Sequence, residues 1–140
     1  MAEEKAGESG LDIEPELAER YRSHAEQRRY HFSSFEWLAA HDPEFEKARL
    51  GMVEMTYLRK NPAIPPKYKE LLSAAILSFR HYDSVGRHLK RALELGATVQ
   101  EVIEVLEMAS IPGGMPTLHF ALDKLVELER EHPELFKNRK

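Results

Sequence analysis

The sequence predicts an all-α fold, and three observations carry that prediction. No segment alternates apolar and polar residues as a half-buried strand does, apolar residues recur at helical spacing, and proline, glycine and capping residues punctuate those stretches at helix ends. A length of 140 residues suits one domain with a single core, and 42% hydrophobic with 31% charged residues is an ordinary globular balance. About six helices are expected.

Residues 1–12 are acidic and hold Gly7 and Gly10, so they are expected to be disordered. Pro15 then opens a helix through Leu17 and Tyr21 to about Arg29, since proline at the first turn loses no helical hydrogen bond. Ser33 and Glu36 have the spacing of a capping box, with Phe32 and Trp37 as its hydrophobic staple. Asp42-Pro43 starts the next helix, through Phe45, Leu50, Val53 and Leu58. Tyr30, Phe32, Phe35 and Trp37 form an aromatic cluster that suits packing and subunit contact better than a substrate wall. Residues 13–64 thus read as helices for packing and assembly.

Prolines 62, 65 and 66 make a stiff connector into a second helical stretch over residues 65–132. Within one domain of residues 13–140, that stretch is the core and residues 133–140 are a tail. A helix from Pro66 to Phe79 points Leu71, Leu72, Ala75, Ile76 and Phe79 inward. A turn over His81–Ser84 leads to a helix with Leu89, Ala92 and Leu93, stopped by Gly96 in the left-handed conformation. Thr98 and Glu101 cap a nearly all-apolar helix with Val102, Ile103, Val105 and Leu106, expected to be buried on most sides. Pro116 begins the last helix, with Leu118, Ala121, Leu122, Leu125 and Val126 inward.

Composition excludes several functions. Absence of cysteine removes disulfides, thiolate metal sites and thiol nucleophiles. The net charge of −4 is concentrated in the first 16 residues, and no basic stripe exists for a nucleic-acid backbone. No apolar run approaches the roughly 20 residues that cross a bilayer. The amino end lacks a secretory pattern, so the cytoplasm is the expected location. Gly113-Gly114 lacks the Lys-Ser/Thr of a phosphate loop and reads as a tight turn.

Glu70, then His88 with Ala92 and Gly96 at steps of four, then the Thr98–Val105 segment and Gly114-Met115-Pro116, together resemble the carboxymuconolactone decarboxylase family of the alkylhydroperoxidase D-like superfamily. The resemblance implies that superfamily's helical fold and assembly as a homotrimer or homohexamer. Counting back from His88, Ser84 and His81 stand where the thiol-peroxidase branch has its two cysteines, so that activity is expected to be absent.

What remains implied is a cofactor-free lyase or isomerase acting on a small carboxylated organic compound. Decarboxylation drives electrons into a conjugated carbonyl, which calls for hydrogen-bond donors and a group that returns a proton. His88 is the candidate for proton transfer because an imidazole titrates near neutrality. Glu70 would orient it, or else pair with Lys67 or Lys69 at the surface. His81 and Ser84 complete the catalytic candidates. Tyr82, Ser84 and His119 are candidate oxyanion donors, and Arg80 and Arg87 candidate carboxylate clamps. His119 has a packing role as its alternative.

No cofactor and no metal are expected. His81 and His88 are seven residues apart, about 10 Å along a helix, too far for one ion. Only a set such as His88, Glu70 and His119 would hold one. The alternative function is a non-catalytic oligomer that binds a small metabolite. A buried His88 beside a carboxylate favours the enzyme.

Overall fold

The computed structural model describes residues 5–140, which form seven α-helices and a closing 3-10 turn, with no strand among them. The contacts divide the chain into two compact units that meet at Asn61 and Pro62, within the proline connector.

The first unit holds α1 (Pro15–Arg28), α2 (Ser34–His41) and α3 (Pro43–Thr56). Proline opens α1, which ends where Arg29 turns left-handed and its N–H bonds back to the Ala25 carbonyl. The Asp42 side chain caps α3 by accepting from the Phe45 N–H, as its position before Pro43 suggests. Leu17 and Tyr21 of α1, Ala39 of α2 and Leu50 of α3 form the core.

Two local expectations fail here. Ser33 makes no side-chain cap, and Glu36 turns inward, 1% exposed, to accept from the Gly7 N–H at 2.7 Å. Trp37 is 58% exposed and stacks on His41 instead of stapling Phe32, which packs edge-on against Tyr30 and Phe35. Of the leader expected to be disordered, residues 1–4 lie outside the described residues. Ala6 is buried, and Gly7 approaches the Ala18 carbonyl so closely that a Cβ would stand 2.9 Å from it.

The second unit holds α4 (Pro66–Phe79), α5 (Val85–Glu94), α6 (Val99–Gly113), α7 (Met115–Glu131) and the turn Pro133–Phe136. Its core joins Leu71 and Ala74 of α4, Val85, Leu89 and Ala92 of α5, Val102 and Leu106 of α6, and Ala121, Leu125 and Leu128 of α7. Thr98 and Glu101 form the predicted capping box. Gly96, at φ 92°, closes α5, with Ala97 N–H bonding to the Ala92 carbonyl and Gly96 N–H to Leu93. Phe136 is buried in the core, and the Asn138 and Arg139 carbonyls accept from the Val99 and Gln100 N–H groups, so the tail caps α6.

The buried stripe of α4 is Leu71, Ala74 and Ser78, while Leu72, Ile76 and Phe79 stay more than half exposed. The small residues are inside because they let α5 approach, and Ser78 satisfies its own hydroxyl on the Ala74 carbonyl. On α6, likewise, Val102 and Leu106 are buried but Met108 and Ile111 are 67% and 76% exposed, not sealed as expected. Leu122 and Val126 of α7 also face out.

Candidate functional site

The inward stripes of α4 and α5 each carry one ionisable residue at the same level. Glu70 precedes Leu71 in the first turns of α4, and His88 precedes Leu89 on the buried face of α5. Packing these helices brings the two side chains together: His88 Nδ1–H donates to Glu70 Oε2 at 2.7 Å, and both residues are buried. A carboxylate only accepts, so the contact assigns the proton to Nδ1 and makes Nε2 the basic nitrogen. The imidazole is held in one orientation and one tautomer. It can take up or return a proton at Nε2 while Glu70 stabilises the imidazolium.

The connection from α4 to α5 gathers the other candidates. His81 adopts φ 50° after the end of α4, its N–H bonding to the Ser78 carbonyl while the Tyr82 N–H bonds to Leu77. That pair of bonds is a Schellman closure with a histidine in the place glycine usually takes. The His81 ring stacks on Phe120 of α7 at 5.1 Å, and Lys124 one turn on pairs with Asp83 at 3.2 Å. Sequence reasoning missed Phe120 and Lys124 as supports of this turn. Their only signal was a Lys and an Asp of opposite charge 41 positions apart.

Ser84 is the N-cap residue of α5 but makes no side-chain cap, and it is half-buried. Arg80, Tyr82 and Arg87 are exposed around the same turn. His119 faces solvent on α7, 3.8 Å from Asp123. The structure thus joins His88 to Glu70 and sets His81, Tyr82 and Ser84 in one turn, while His119 points away to solvent. No three His, Asp or Glu side chains among the described residues are grouped to hold a metal ion.

Glu70 is not a surface partner of Lys67. That lysine reaches Glu101 at 2.9 Å, which raises the Lys67 pKa through the bond to the carboxylate. The Glu101 carboxyl is held below its ordinary range by the Thr98 N–H first and by Lys67 second.

The profile of the carboxymuconolactone decarboxylase family matches residues 43–127, from α3 to α7. An uncharacterised protein of Methanocaldococcus jannaschii is 28% identical over 87 residues, which are 61% of this chain and 79% of that protein. A crystal structure from Burkholderia xenovorans LB400, described as a candidate carboxymuconolactone decarboxylase, superposes with a TM-score of 0.72. The match covers 84% of this chain and 94% of that one at 23% identity, a likeness of fold.

Proposed function

The chain belongs to the carboxymuconolactone decarboxylase family, and from that premise we propose that it is a cofactor-free lyase or isomerase of a small carboxylated organic compound. The observation that carries this reading is the buried pair of His88 and Glu70, 2.7 Å apart. In a decarboxylation the bond to the carboxylate carbon breaks and CO2 leaves. The electron pair moves into the conjugated carbonyl, and the carbon then takes a proton. His88 Nε2, once it has taken a proton from solvent, delivers that proton to the carbon, and Glu70 holds the ring and balances its charge. Arg80 and Arg87, exposed beside the turn, are the carboxylate clamps of this reading, and Tyr82 and Ser84 the oxyanion donors.

Self-association belongs to the same proposal. Leu72, Ile76 and Phe79 on α4, with Met108 and Ile111 on α6, are each more than half exposed, and large apolar side chains left open in this way suit an interaction surface. A second copy of the chain, in a homotrimer or homohexamer, covers it. No helix of the described residues is long and apolar enough to cross a membrane, and the cytoplasm is the location proposed.

The test is the ultraviolet loss of 4-carboxymuconolactone with CO2 release, run on wild type, His88→Ala and His88→Gln. Loss of about 10²-fold or more in both variants is expected, with helix content and sedimentation unchanged. An inert wild type sinks the substrate, and active variants sink the role of His88.

A further inference from the structure

Polar contacts do much of the fastening of α1 to α3. Among the described residues the core of the first unit holds five buried side chains, Leu17 and Tyr21 of α1 included, against thirteen in the second unit. A row of charged contacts along α1 adds to that small core. Lys47 reaches Glu14 at 2.8 Å, Arg20 reaches Glu54 at 3.0 Å and the Lys47 carbonyl at 3.3 Å, and the Tyr21 hydroxyl donates to Glu46 at 2.6 Å. His24 closes the row, its Nε2–H donating to the same Glu54 oxygen at 3.0 Å.

A carboxylate only accepts, so His24 already has its Nε2 proton and a second one enters at Nδ1. That proton makes the ring a cation among cations. Arg20 and Arg28 stand one turn to either side of His24 on α1, and Arg20 shares the Glu54 oxygen. A small cavity beside the ring adds Tyr21, Tyr30, His31 and Arg49, of which His31 and Arg49 bond to acids of their own, Glu36 and Glu46. The Glu54 side chain is 42% exposed against 11% for His24, so water screens its attraction while the new charge stays buried. Burial accordingly lowers the His24 pKa, Glu54 pulls it back in part, and Arg20 and Arg28 lower it further.

We propose that α1 is an acid-released clasp: protonation of His24 at Nδ1 loosens α1, with the leader that packs on it, from α3, and the opening stays within the first unit. The leader goes with α1 because Gly7 lies against the Ala18 carbonyl and Ala6 belongs to the same core. α1 lies ahead of the residues that match the family profile, so the device is this chain's own and no part of that profile. With the proton taken by the open form, whose imidazole has its ordinary pKa of 6.5, opening grows about tenfold from pH 7.5 to 5.5.

The experiment is hydrogen–deuterium exchange, read by mass spectrometry on the full-length chain from pH 7.5 to 5.5 and corrected for the intrinsic rate at each pH. Opening of residues 5–28 that rises about tenfold as pH falls, with α4–α7 changing less than about twofold, is the expected result. His24→Gln keeps an amide donor for Glu54 but takes no proton, so it should abolish the rise. An unchanged α1, an equal acceleration of α4–α7, or a rise that persists in His24→Gln overturns the clasp. The ring C–H resonances of His24 in the wild type are a second measurement, independent of whether that variant folds. Their titration should track the opening of α1, and a ring that takes its second proton while α1 stays protected overturns the proposal as well.

Discussion

His81 carries a backbone role that its place in the sequence did not announce. Its position two residues past α4 suggested chemistry, yet its backbone sits at φ 50° and its main chain closes the helix. A side chain at positive φ costs roughly 1–2 kcal/mol that glycine avoids, so His81→Gly should be more stable than His81→Ala by about that amount, since both lack the Phe120 stack. Equal melting temperatures for the two would mean the turn relaxes and the strain is absent. Glu36 is the opposite case. The sequence offered a cap three residues after Ser33, but the carboxylate gains more from the Gly7 N–H and His31 in the interior. Nothing local in the sequence reports a partner 29 residues away. His88 was legible from its steps of four to Ala92 and Gly96, and Glu70 only as one of two readings, beside a surface pairing with a lysine; their 2.7 Å contact needed the packing of α4 on α5.

At the scale of elements, helix limits were readable wherever a proline, an acid or a glycine marked them, as at Pro15, Asp42, Gly96 and Thr98. Which face of a helix is buried was less so. Hydropathy favours Leu72, Ile76 and Phe79 of α4 over Ala74 and Ser78, but close approach of two helices favours the small side chains. Close approach also governs the corner between α6 and α7. A Cβ on Gly113 would stand 2.6 Å from Thr117 Oγ1 and 3.1 Å from the Phe79 ring. Phe79 is 61% exposed and can swing aside, but Thr117 is buried and its hydroxyl bonds to the Gly113 carbonyl. Gly113→Ala should therefore cost about 1–3 kcal/mol, read by thermal denaturation. An unchanged melting temperature would show that Thr117 repacks freely.

For the whole molecule, the acid-sensitive groups concentrate in the first unit. Burial pushes the His24 pKa down, outweighing the pull of Glu54. Burial raises Glu36, but hydrogen bonds from Ser9, the Gly7 N–H and His31 prevail and hold its carboxyl below the ordinary range. Burial likewise raises Glu54, and Arg20 and His24 reverse it. The signs agree. For His24 the unfolded chain gains its proton first, so stability falls as pH drops below about 6.5. For both carboxyls, stability is full above the unfolded value near 4.3 and is lost as pH falls through the lower folded values. Circular dichroism melts should show a decline beginning near pH 6.5 and steepening below about 4.5; a level profile from about pH 7 to 5 would contradict the sign for His24, and no further loss from about pH 4.5 to 3 would contradict it for the two carboxyls.

The bond from Gly7 to Glu36 gives that titration a reporter. An amide that donates to a buried carboxylate exchanges with solvent only when the contact opens. Deuterium uptake at the Gly7 amide, corrected for its intrinsic rate, therefore measures how firmly one interior acid holds the beginning of the chain, and protonating that acid should unlock the amide.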